Sequence, residues 1–102
     1  SAMEIKKSVE GNATVLALSG RLDTITSPQL SKELETLLEK EALNLIFDLS
    51  SLDYISSSGL RVFLSAQKKI NAMGTQMKIR GVNETVKEIF EVTGFTGILN
   101  IE

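Results

Sequence analysis

Three serines and a glycine, Ser56-Ser57-Ser58-Gly59, stand between an apolar run that reads as a strand and an amphipathic run that reads as a helix. A serine hydroxyl becomes a nucleophile beside a base. The chain has no histidine and no cysteine, which removes the commonest general base, the commonest metal ligand and all thiol chemistry. The G-x-S-x-G pattern of a nucleophile elbow is broken, because Ile55 precedes Ser56. There is no phosphate-cradling G-x-x-x-x-G-K loop. Asp23, Asp48 and Asp53 read better as turn and cap residues than as metal ligands. The chain is therefore read as a non-enzyme without cofactor or metal. The serines are left to cap the helix, to favour an anion at its unpaired N–H groups, or to offer a hydroxyl to a partner. One serine suffices for a cap, so the residues alone leave capping and function both open. The same holds for Asp23.

The elements that must position these residues alternate in kind. Glu4 to Val9 and Ala13 to Ser19 read as strands joined at Gly11-Asn12, a hairpin signal. The second strand is apolar on both faces, as in a strand covered on both sides. Ser27-Pro28 marks a helix start, with Ser27 as cap and Pro28 in the first helical position. Leu30, Leu34, Leu37 and Leu38 recur at helical spacing, and this helix is expected to run to about Glu41. Leu43 to Leu49 reads as a buried strand. From Gly59, Val62, Phe63, Ala66, Ile70 and Met73 trace a second helical stripe that Gly74 is placed to end. Gln76 to Arg80 alternates as a strand, Asn83 caps a helix that stops at Gly94, and Ile98 to Ile101 forms a last short strand.

This order predicts an α/β sandwich, with a mostly parallel sheet of about five strands and three to four helices. Loops that follow parallel strands gather at one sheet edge, where function usually sits. Gly20 to Asp23 and Asp53 to Gly59 are thereby expected to meet, and Gly59 to let a partner's backbone approach. Asp23 and Asp53 are expected to make that edge acidic.

With 102 residues the chain is the size of one domain, taken to start at Met3; Ser1-Ala2 reads as a remnant of tag cleavage. A net charge of −2, with Lys6-Lys7 and Lys68-Lys69 as its basic pairs, gives no basic face for nucleic acid. No apolar run approaches the ~20 residues that span a bilayer, and no signal peptide is visible, so a cytoplasmic protein is expected.

The stretch D-L-S-S-L-D-Y-I-S-S-S-G-L-R-V-F-L, residues 48–64, resembles the signature of the anti-sigma-factor antagonist family, the STAS domains. G-R-L-D at Gly20 to Asp23 resembles the family's first loop, and G-V-N-E-T-V-K-E-I-F-E-V-T-G-F its closing helix and turn. The resemblance implies a partner switch. The unphosphorylated domain binds an anti-sigma factor that is also a serine kinase; phosphorylation of one serine at the start of the second helix releases it, and a phosphatase restores binding. Aligned on Gly59, the acceptor maps to Ser57. Members of the sporulation type carry aspartate where this chain has Ser56, which makes Ser56 a competing acceptor and leaves open an unphosphorylated binder. The implied partner surface is Asp23, Thr24, Ser56, Ser57, Ser58, Gly59 and Arg61. A monomer is expected for such a switch. The alternatives are a nucleotide or anion sensor and a scaffold subunit of a sensory assembly.

Overall fold

Gly11 and Asn12 turn the chain between β1 (Glu4–Glu10) and β2 (Ala13–Leu22), which pair antiparallel with Glu10 opposite Ala13. Gly11 has a φ of +61°, and among the described residues none other than glycine has positive φ, the pattern of a type II′ hairpin turn. The computed structural model describes residues 3–102, so the reading of Ser1-Ala2 as a tag remnant lies outside the described residues. From β2 the chain passes through α1 (Ser27–Lys40) to β3 (Asn44–Ile55), then through α2 (Ser57–Met73) to β4 (Met77–Arg80), α3 (Glu84–Val92) and a 3-10 turn at Phe95–Gly97. The sheet order is β1-β2-β3-β4, with β2, β3 and β4 parallel.

The number of strands among the described residues is four, not five. Ile98 to Ile101 contributes a single parallel bridge, Ile101 beside Ile79, with Ile79 N–H donating to Asn100 O and Glu102 N–H to Ile79 O, both at 2.9 Å. The chain coils through the 3-10 turn after Gly94 and reaches the edge of β4 only at its last residues.

The expectation that β2 is covered on both sides is corrected. Each parallel crossover steps to the next strand in the same direction, and right-handed crossovers that step one way place their helices on one face. That face carries Leu16, Leu18 and Leu22, then Leu45, Phe47, Leu49, Leu52 and Ile55, then Met77 and Ile79. Leu30, Leu34, Phe63, Ile70, Val86 and Phe90 of the three helices join the same core. Phe63 links the layers, edge-on to Phe47 at 4.8 Å and tilted against Phe90 at 6.1 Å. Among the described residues no helix packs on the opposite face. Arg80 on β4 bonds Glu10 on β1 through both guanidinium nitrogens at 2.9 Å, and Asp48 on β3 at 3.4 Å. Because β1 and β4 are the outer strands, this bond crosses the rows of β2 and β3, and Val15 on that face is only 4% exposed.

The third strand is longer than its expected Leu43–Leu49. From Ala17↔Asp48 to Ser19↔Ser51, two steps on β2 match three on β3; from Gly20↔Leu52 to Arg21↔Tyr54, one step matches two. Each shift is a bulge with one extra residue on β3. The spacing of core residues along β3 therefore changes from two to three, Leu49 to Leu52 to Ile55, and alternation fails to announce the strand's second half. Asp53 lies in this strand rather than in the loop after it.

The helix ends follow local chemistry. Gly74, at φ +75°, closes α2: its N–H bonds Asn71 O and Thr75 N–H bonds Ile70 O. Asn83 caps α3 by accepting from Val86 N–H at 2.8 Å, and its amide donates to Leu52 O at 2.8 Å, which ties α3 to the bulged part of β3. Ser27 is not the cap of α1. It is the first helical residue, with Pro28 second and Thr26 at the cap position, and its hydroxyl donates to Asp23 O at 2.5 Å.

Candidate functional site

β2 and β3 end together, with Leu22 opposite Ile55 and both buried. Ser56 N–H then donates to Leu22 O at 2.8 Å, which seats the start of α2 against the end of β2. The two expected loops thus share one edge of the sheet.

The three serines have three different roles. Ser56 is extended, at φ −94° and ψ 173°, and its hydroxyl accepts from Gly59 N–H at 3.3 Å; it is the N-cap. Ser57 is the first residue of α2 and is exposed. Among the described residues its hydroxyl has no hydrogen-bond partner. Ser58 is half-buried and turns toward a groove of about 450 Å³ between α1 and α2, which Thr24, Ser31, Arg61 and Ser65 also line.

Gly59 is buried and faces inward, so the expected role of admitting a partner's backbone is corrected. A Cβ there would lie 2.8 Å from Leu22 Cγ and 2.9 Å from Ile55 Cγ1. Glycine is needed for α2 to press on the two strand ends.

Asp23 organises the turn before α1. Its Oδ1 accepts from Ile25 N–H and Thr26 N–H, each at 3.0 Å. The buried Thr26 hydroxyl accepts from Asp23 N–H at 2.9 Å and shares its proton between Arg21 O at 2.7 Å and Asp23 Oδ1 at 3.1 Å. The Thr26 N–H, then the Thr26 hydroxyl, Ile25 N–H and Arg21, hold the Asp23 carboxyl below its ordinary range. Arg21 lies 4.0 Å from Asp23 and stacks over Tyr54 at 4.3 Å. The edge is therefore of mixed charge and not simply acidic: Arg21 stands beside Asp23, and exposed Asp53 on β3 and Arg61 on α2 add one charge of each sign. Among the described residues no group of three acidic, His or Cys side chains gathers as a metal site, and no helix is long and apolar enough to cross a membrane.

The turn holds out one residue the sequence reading missed. Ile25 is 87% exposed at the tip beside Thr24. Its signal is weak but present: an isoleucine inside G-R-L-D-T-I-T that belongs to no alternating or helical stripe. Arg21 and Tyr54 were also unassigned; their pairing appears only when β2 and β3 lie side by side.

Together the fold and the site define a two-layer α/β domain that presents a polar, well-held edge. The model of the STAS domain matches residues 4–102, and the chain belongs to that family. It is 31% identical over 85 residues to the anti-sigma-B factor antagonist of Listeria monocytogenes, covering 83% of this chain and 75% of the relative. The anti-sigma-B factor antagonist of Staphylococcus aureus is 23% identical over 99 residues, covering 97% and 92%. In fold, the chain is similar to an anti-sigma factor antagonist from Mycobacterium paratuberculosis, with TM-score 0.89, 18% identity and coverage of 98% and 85%. It is also similar to the unphosphorylated anti-sigma factor antagonist SpoIIAA, with TM-score 0.83, 19% identity and coverage of 97% and 88%.

Proposed function

We propose that the chain is an anti-sigma factor antagonist whose binding is switched off by phosphorylation of Ser57. The observation that carries this reading is the division of labour among the serines. Ser56 is spent on the cap, Ser58 faces the groove, and Ser57 alone is exposed at the helix start with an unbonded hydroxyl. This supports Ser57 over Ser56 as the acceptor. The names of the relatives support an anti-sigma factor as the partner; that the partner is also a serine kinase, that a serine phosphatase resets the switch and that both act in the cytoplasm is what the resemblance of residues 48–64 implies.

The binding surface comprises Asp23, Thr24, Ser56, Ser57, Ser58, Gly59 and Arg61, with Ile25 added as an apolar anchor held out by a rigid turn. Asp23 and Gly59 act by shaping this surface rather than by touching the partner. A phosphate on Ser57 adds ~1.5 to 2 negative charges beside α2's unpaired N–H groups, where the fold tolerates them. A partner fitted to a neutral hydroxyl would instead bury a dianion for which it offers no counter-charge of its own, at a cost of several kcal/mol, or several decades of affinity. Charged Lys6, Lys7 and Glu4 along the free β1 edge discourage strand-to-strand pairing and favour a monomer.

The test is the affinity of Ser57→Ala and Ser57→Asp for the cognate anti-sigma kinase, with phosphosite mapping after incubation with ATP. Ser57→Ala should bind and resist modification, and Ser57→Asp should bind much more weakly. Equal binding of both, or phosphate found on Ser56, would overturn the reading.

A further inference from the structure

We propose that Arg61 is the counter-charge of phosphorylated Ser57, and that phosphorylation draws Arg61 out of the groove between α1 and α2. The inference rests on Ser57 as the acceptor and concerns what the phosphate then meets.

Ser57 opens α2 and Arg61 lies four residues on, one turn along the same helix face. Side chains four apart on a helix are neighbours, about 5–6 Å between Cβ atoms, and an anion placed N-terminal to a cation is the favourable order. Cα–Cβ bonds lean toward the helix N-terminus, so Arg61 leans toward Ser57. A guanidinium offers a planar fork of N–H donors that matches two phosphate oxygens at once.

Arg61 is also uncommitted. It is exposed, and among the described residues it forms no ion pair. Arg21 is held over Tyr54 and beside Asp23, and Arg80 is held by Glu10 and Asp48. Lys68 and Lys69 of α2 lie eleven and twelve residues beyond Ser57, ~17 Å or more along the axis at 1.5 Å per residue. Among the described residues Arg61 is the one charged side chain lining the groove where it opens beside Ser58. Its recruitment by phosphate leaves only Lys69, further along the same two helices, as a cation on that wall among the described residues, so the modification changes two features of the edge at once: it adds negative charge at Ser57 and draws the nearest positive charge out of the groove.

The test uses phosphoserine encoded genetically at position 57 of the full chain, which needs neither kinase nor partner. The second ionisation of the phosphate is followed by phosphorus NMR in the parent, Arg61→Gln and Arg61→Lys, each checked for folding by circular dichroism. Removing the cation should raise that pKa by about 0.3 in Arg61→Gln, with Arg61→Lys in between. In the parent, the Arg61 Nε–H resonance should move on phosphorylation and its exchange with solvent should slow. Identical phosphate titrations in parent and Arg61→Gln, or an unmoved Arg61 resonance, would overturn the proposal. A kinase that ignores Ser57 would instead overturn the function proposed above and leave this result standing.

Discussion

Replacing Gly59 by alanine adds one methyl group between two buried strand ends. The new Cβ would lie 2.8 Å from Leu22 Cγ and 2.9 Å from Ile55 Cγ1, and these neighbours are 0% and 1% exposed. Ordinary carbon contacts are about 3.5–4.0 Å, so α2 must lift or both strand ends must shift. Overpacking of this kind costs ~1–3 kcal/mol. Alanine returns at most ~1 kcal/mol of helix propensity over glycine, less in the first turn. The net loss is about 1–2 kcal/mol, or roughly 5–12 °C in Tm for a domain near 100 residues. Thermal and urea unfolding of Gly59→Ala measure it. A cycle with Leu22→Ala locates the cause: with the leucine gone, only the Ile55 contact remains and the Gly59→Ala step should cost clearly less. An unchanged or raised Tm in the parent, or an equal cost in both backgrounds, would refute the packing account of this glycine.

Other perturbations separate the remaining roles. Ser56→Ala removes the cap of α2 and, since its bond is long at 3.3 Å, should cost about 0.5–1 kcal/mol in urea unfolding while phosphate still goes to Ser57. Gly81→Ala combines a φ of +73° with a Cβ that would strike the Ser50 hydroxyl and lie 3.1 Å from Ser50 N; a loss of about 2–4 kcal/mol of unfolding free energy, read from urea unfolding, is expected. Three carboxyls are held below their ordinary values of 4.5 for Glu10 and 3.8 for Asp23 and Asp48, by the Arg80, Thr26 and Ser50 hydrogen bonds respectively. A depressed folded pKa stabilises the fold while the group is ionised. The urea midpoint should therefore hold steady near neutrality and fall as pH drops below these values, and Asp48→Asn should flatten that fall.

The helices were the most legible part of the sequence because local rules settle them. The leucine stripe of α1, Gly74 after α2 and Asn83 before α3 all stand as read. The sheet was harder. The second half of β3 hides its period behind two bulges, and a bulge is a property of the pair, not of one strand. The two apolar faces of β2 suggested two helical layers, yet Val15 is only 4% exposed on a face that no helix covers and that the Arg80–Glu10 bond crosses. That contact joins residues 70 positions apart and has no local signature. At the site, the sequence located the serines but not their separate duties. Which hydroxyl caps depends on the backbone angles of Ser56, and why Gly59 must be glycine depends on Leu22, which comes from another strand.

The bond between Arg80 and Glu10 also bears on how the molecule assembles. Each strand pairs with its neighbour in the chain, so the sheet can grow as a ladder from the β1–β2 hairpin, rung by rung. The ion pair between the first and last rungs closes a loop that no shorter piece of the ladder contains. A contact closed only after the rate-setting steps is a latch: it slows the opening of a finished protein and leaves the pace of its making almost untouched, so Glu10→Gln should speed unfolding and leave refolding unchanged in stopped-flow urea jumps.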